Sequence, residues 1–205
     1  MTLNMETPVL PALYLPPISF FQAIKNNGEE FLIEQYENFP KQTFRNRASI
    51  YAANGKLDLI IPLKHEKKGH KPMKDIKISY DFKWQRLHWL SIQSAYRSSA
   101  YFEYYEDEFA PFYEKNYTFL LDYNVEIIEH MLKLMKAKVD LKLTDKYWGK
   151  EDLKLDFRDS IHPKKEPLYE SPKYYQVFED KEGFIKGLSM VDLLFNQGPR
   201  SWELL

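Results

Sequence analysis

The sequence predicts an α/β fold: a βαβ-type N-terminal unit with a mixed sheet, followed by helices and a short C-terminal strand-helix closure. Three observations lead there. An apolar run at 9–14 stops at Pro16-Pro17, and a helix-like stretch and a second apolar run, EFLIEQY, follow it. Two more apolar runs flank Ala53-Asn54-Gly55, an Asn-Gly hairpin signal. Further on, apolar residues recur at a spacing of three to four, the period of a helix face. Strands alternating with helices make a sheet covered by helices.

Taken in order, Val9 to Tyr14 is the first strand and Ile18 to Lys25 a helix. Ser19 is its candidate cap, and Phe20, Phe21 and Ile24 lie on one side. Asn26-Asn27-Gly28 ends it, and Glu30 to Tyr36 is the second strand. Ala48 to Ala52 and Lys56 to Leu63 form the hairpin. Lys64 to Lys74 is basic and rich in breakers, so it reads as a loop, and alternation in DIKISY makes Asp75 to Tyr80 a strand. Helices are predicted at Trp84 to Ser98, Phe112 to Leu121 and Asp122 to Ala137. The last carries an apolar stripe of Val125, Ile128, Leu132 and Met135. Lys138 to Leu143 is a short strand. Thr144 to Pro172 holds Pro163, Pro167 and Pro172 and reads as a long irregular segment, which marks it as functional or flexible. Tyr174 to Phe178 suits a strand, and Leu188 to Asn196 a helix capped by Ser189. The whole chain, 1–205, reads as one domain.

Composition excludes several functions. With no Cys among 205 residues, thiolate nucleophiles and Cys-based zinc sites are ruled out. A formal net charge of −1 argues against duplex binding driven by counterion release. Basic and aromatic residues together could hold a single strand, but the acidic stretch Glu103, Glu106, Asp107 and Glu108 opposes it, and no nucleic-acid partner is expected. The opening MTLNMETPVLPALYLPP has neither a basic start nor an unbroken apolar run, and no stretch approaches transmembrane length. A cytoplasmic location is therefore expected. Aromatics, 15 Tyr, 14 Phe and 4 Trp, suit an aromatic core or a sugar-facing cleft.

Five groups could carry chemistry. Lys41, Arg45 and Arg47, with Asn46 between the arginines, bring cations together as phosphate or carboxylate recognition requires; a solvated strand edge would look the same. In an extended chain Arg45 and Arg47 share one face and Asn46 takes the other. The Tyr14-Leu15-Pro16-Pro17 loop runs into a helix whose N-terminus could favour an anion, or simply packs as a turn. Trp84, His88 and Tyr96 share a helix face, where His88 could be a general base or a structural hydrogen-bonding residue. His65, His70, His130 and His162 show no metal spacing, and the acidic stretch fits an amphipathic helix or loop better than a metal site. Tyr174, Gln176, Ser189 and Asp192 are polar groups in apolar segments. Ser189 and Asp192 match a capping box, with closure of an active site as the alternative. No Walker loop, HExxH, GxSxG or GxGxxG occurs.

Several stretches resemble the WbqC-like family of bacterial proteins, in the version found in Bacteroidetes-type bacteria. They are LYLPPISFFQAI, ENFPKQTFRNR, ISYDFKWQRLHWLSIQSAYRSSAYFEYYEDEF, YYQVF and GLSMVDLLFNQGP. The resemblance implies a part in O-antigen, lipopolysaccharide or other glycan biosynthesis, and for some members a label of amino-acyl or glycyl transferase to an amino sugar. It brings no established catalytic residues. Ala12-Leu13 and Ser19 stand where the commoner pattern has Gln and Gly. The opening also resembles the strand-loop-helix start of nucleotidyltransferases without their HxGH pair, so that likeness implies at most a shared fold.

Two readings follow. In the first, the protein is a transferase acting on an activated sugar or amino-sugar intermediate. Lys41, Arg45 and Arg47 hold the phosphate of an anionic small molecule such as a nucleotide-sugar, and Asn46 orients it. Tyr14, Tyr96 and Gln176 complete the site, and His88 or Asp192 is the base. In the second, it is a noncatalytic binding or scaffold protein in a polysaccharide assembly complex. Convergence of Arg45, Arg47, His88 and Asp192 on one pocket favours the first reading, and dispersal the second. The sequence identifies no cofactor and no metal.

Overall fold

A computed structural model describes residues 6–64 and 71–205. His65, His70 and the middle of the expected loop at Lys64 to Lys74 lie outside the described residues. The class is α/β, as expected, with the two kinds of pairing in separate sheets. Strand β1 (Val9–Pro11), helix α1 (Ile18–Asn27) and β2 (Glu30–Glu34) form the βαβ unit, and β5 (Asp140–Leu143) joins β2 on its other side. All three strands are parallel, in the order β1-β2-β5. The hairpin β3 (Arg47–Ala52) and β4 (Gly55–Ile60) is antiparallel and separate. Ala52 faces Gly55 across the two-residue turn Ala53-Asn54, and Gly55 takes φ 93°, which a glycine adopts without penalty.

Helices α2 (Trp84–Tyr96), α3 (Phe102–Phe109), α4 (Leu120–Leu134), the short α5 (Glu179–Glu182) and α6 (Met190–Gln197) complete the fold. One aromatic-rich core joins all of them but α5, which has no buried residue. It runs from Leu13, Phe20 and Phe31 through Tyr96, Phe102 and Phe109 to Phe195.

Four local expectations change, each because a backbone group finds a different partner. Pro17, not Ser19, caps α1, because the Ile18 N–H is already taken by the Leu188 carbonyl. Asp75 to Tyr80 makes no ladder: Lys77 bridges Phe119 and Ile78 bridges Leu63, one residue each. Phe112 to Leu121 is not a helix. The Tyr80 hydroxyl accepts from the Tyr117 N–H and donates to its carbonyl, and Leu120 N–H donates to Ile76, so α4 starts only at Leu120. Tyr174 to Phe178 is irregular, because the Gln176 side-chain amide both donates to and accepts from the Ile185 backbone, standing in for a neighbouring strand.

Thr144 to Pro172 is irregular apart from a 3₁₀ turn at Lys150–Asp152, yet it is anchored. Val9 N–H donates to Leu155, Phe157 N–H donates back to Val9, and Arg158 reaches under the sheet. Helix α6 ends at Gly198, φ 59°, where a β-carbon would come within 2.5 Å of the Tyr101 ring. Gly198→Ala is therefore expected to cost about 3 kcal/mol, from a backbone at φ 59° and ψ −137° that strains any other residue and from the crowding together. A thermal melt at neutral pH measures it, and an unchanged midpoint would contradict it.

Candidate functional site

The charged residues divide into those that hold the fold and those that face open space. Arg45 belongs to the first group. It lies between the 38–44 loop and β3 at 1% exposure, and its Nε and Nη2 donate to Glu37 at 2.6 and 2.7 Å. Nη2 also donates to the Arg158 carbonyl at 3.2 Å. Burial pushes the Glu37 carboxyl up, with the Arg45 charge opposing. Arg158, which sequence reasoning missed, forms a second internal ion pair with Asp156 at 2.7 Å and Glu34 at 3.2 Å. Burial works against its charge, but Asp156 and Glu34 more than offset this and hold its pKa above the usual value. Arg47 lies on the hairpin surface, 3.5 Å from Asp58.

The two expected bases sit in separate buried networks. His88 on α2 is 3.0 Å from the Tyr14 hydroxyl, which is 3.1 Å from that of Tyr113. Burial pulls the His88 pKa down to about 4, with a hydrogen bond to the Ile60 backbone opposing, so the ring is neutral at physiological pH. Asp192 on α6 accepts from Tyr96 at 2.9 Å, Tyr174 at 2.6 Å and Gln176 at 3.2 Å. Burial pushes its carboxyl up to about 6, although all three donors pull it back. The capping box is thus half realised: Ser189 Oγ accepts from Val191 N–H, while the Asp192 carboxylate points to Tyr96 and Tyr174 instead.

Open space is found next to the 38–46 loop. A cleft of about 810 Å³ is lined by Lys41, Gln42, Asn46, Lys64, Lys71 and Lys77, with Asp75 and Asp81 as the acidic members among the described residues. Phe39, Ile61, Pro62, Leu63 and Ile76 supply its apolar wall. Asn46 Nδ2 donates to the Ile61 carbonyl, which fixes the side chain at the wall. Phe82 stands at the rim, 72% exposed. The lone Leu63–Ile78 bridge holds the two lysine-bearing segments side by side.

Of the residues singled out in the sequence, Lys41 and Asn46 line this cleft. Tyr96, Gln176 and Asp192 meet in one buried cluster, and Tyr14 and His88 in another. None of these five lines the cleft, and Arg45 does not either. Sequence reasoning gave no role to Lys64 and Lys77; their signal was only that each adjoins an apolar extended segment. Among the described residues, no group of three or more His, Asp or Glu could hold a metal ion, and no helix is long and apolar enough to cross a membrane.

The profile of the WbqC-like protein family matches residues 12–166. The chain belongs to the WbqC-like family. The matched range takes in the whole cleft and both internal ion pairs. Asp192, Gln176 and the two C-terminal stretches that resemble the family lie beyond it. No curated protein and no solved structure matches this WbqC-like chain.

Proposed function

We propose that this WbqC-like protein acts in the cytoplasm in bacterial surface-polysaccharide (O-antigen or lipopolysaccharide) biosynthesis, as a transferase that binds an activated, phosphate-bearing sugar or amino-sugar intermediate, such as a nucleotide-sugar. One observation carries the reading: lysines ring a cleft whose wall is apolar and whose rim holds an exposed aromatic ring. Small-molecule sites typically occupy roughly 300–1,000 Å³, so the cleft is the right size. Lysine ammonium groups are point charges suited to a diphosphate, and Phe82 or Phe39 offers a face for a base or sugar ring. Lys41 and Asn46 keep the ligand roles expected of them, joined by Lys64 and Lys77. Arg45 is reassigned to holding the loop that carries them.

Calorimetric titration with nucleotide-sugars tests this. The triple variant Lys41→Ala/Lys64→Ala/Lys77→Ala is expected to bind about ten- to a hundredfold more weakly, since charge-assisted contacts are lost, and added salt should weaken the wild type. No binding at millimolar ligand, or wild-type affinity in the triple variant, would overturn the reading.

A noncatalytic binding role in a polysaccharide assembly complex is the second reading. It is favoured by the dispersal of Arg45, Arg47, His88 and Asp192, none of which lines the cleft, so that neither base expected for a transferase stands at the ligand. Nucleotide release from a bound nucleotide-sugar in the presence of acceptor supports the transferase; tight binding without turnover supports the binder.

A further inference from the structure

We infer that the N-terminus of α1 is a second anion site, separate from the cleft, that holds a phosphate monoester group. The cavity there is small, about 210 Å³, and its lining shares no residue with that of the cleft. Its size suits a phosphate group with little attached. Gly187 and Pro17 form part of its wall, and Ser19, Lys56, Lys165 and Lys186 bring the polar groups.

The backbone supplies the first donor. Ile18 N–H donates to the Leu188 carbonyl and Phe20 N–H to that of Pro17, which leaves the Ser19 N–H without a backbone acceptor among the described residues. It lies in the first turn of a 10-residue helix, where the dipole favours negative charge.

A second, independent observation is the Ser19 side chain. The residue is 6% exposed and lines the cavity, and its hydroxyl has no hydrogen-bond partner among the described residues. The hydroxyl is not sealed off but reaches the cavity, where a ligand oxygen can take its hydrogen bond.

Cations complete the site. Lys56 from β4 and Lys186 from the loop before α6 have no ion pair among the described residues. Lys165 also lines the cavity while donating to the Asp159 carbonyl at 2.8 Å, and Glu166 is the one carboxylate in the described lining. The field is felt by His162 in the same wall: burial lowers its pKa, and the charges of Lys165 and Lys164 lower it further. The 42–46 segment separates this cavity from the cleft, with Phe44 facing one and Gln42 and Asn46 the other.

The test is calorimetric titration of the full chain with inorganic phosphate and, separately, a sugar 1-phosphate, at fixed ionic strength in chloride. Saturable binding of phosphate is expected. Lys56→Ala/Lys186→Ala should weaken it about tenfold and Ser19→Ala about fivefold, with melting points unchanged, while the triple cleft variant keeps wild-type phosphate affinity. Tighter binding of the sugar phosphate that persists in the triple cleft variant identifies an organic monoester as the occupant; binding of inorganic phosphate alone in that variant identifies the free ion. No binding of either, unchanged affinity in the lysine double variant, or loss of phosphate binding in the cleft variant would each overturn the proposal. The lysine pair is exposed, so that arm remains decisive if Ser19→Ala fails to fold.

Discussion

Replacing Arg45 with Ala is expected to cost about 3–5 kcal/mol of folding stability, read as a shift of the urea midpoint at neutral pH. That is a large part of the roughly 5–15 kcal/mol that holds a typical domain together. The loss comes from what remains behind. Glu37 is 8% exposed, and Arg45 covers both of its oxygens. Without the guanidinium, a carboxyl that burial already pushes up has no cation beside it. It must then bind a proton or stay charged in a poor solvent, so the penalty should shrink as the pH is lowered. The Arg158 carbonyl also loses a donor. Removing both partners together, as Arg45→Met/Glu37→Leu, should restore much of the stability, because a buried ion pair replaced by apolar groups of similar size is often neutral. Wild-type stability in Arg45→Ala, accompanied by lost nucleotide-sugar binding, would return Arg45 to the ligand site.

The same residue shows where the sequence is legible and where it is not. The β1-α1-β2 unit reads directly, because Pro16-Pro17 breaks one apolar run just before a helical stripe and Gly28 breaks that stripe just before the next run. The hairpin reads for the same local reason. Arg45, Asn46 and Arg47 could not be read from alternation, because β3 begins only at Arg47. Ahead of it the chain is irregular, so Arg45 turns inward to Glu37, Asn46 lines the cleft and Arg47 faces solvent. The cleft itself depends on partners distant in sequence: Lys64 and Lys77 come together through the Leu63–Ile78 bridge, and Lys41 comes from the loop that follows the Asn38–Pro72 bridge. Likewise, the Ser189–Asp192 spacing identifies a helix start correctly, but nothing local reveals that Tyr96, from another helix, will claim the carboxylate. Local backbone preferences were therefore visible, and long-range polar pairing was not.

Asp192 gives the other large effect. Asp192→Ala is expected to destabilise the protein by about 3–5 kcal/mol, because the buried Tyr96 and Tyr174 hydroxyls lose their acceptor and each unpaired group costs about 1–3 kcal/mol, while Gln176 keeps the Ile185 carbonyl and the Tyr174 hydroxyl. The pH dependence separates this role from a merely steric one. Burial raises the Asp192 carboxyl from 3.8 to about 6, so the folded protein holds the proton more tightly than the unfolded chain does. The stability contributed by that proton is complete below 3.8 and is lost as the pH rises through about 6. The difference corresponds to about 3 kcal/mol. Lowered carboxyls such as Asp156 and Asp159 have the opposite sign, their stability falling away as the pH drops through their folded values. The measurement is therefore the stability of wild type minus that of Asp192→Asn, taken at about pH 4 and about pH 7. The amide turns a donor towards Tyr174 and Gln176, a penalty that does not titrate, and it removes the proton-binding carboxyl. Asp192→Asn should therefore lose the fall in stability that the wild type shows over this interval. If both proteins keep the same pH slope, the Asp192 carboxyl is ionised throughout and the three donors, rather than burial, set its charge.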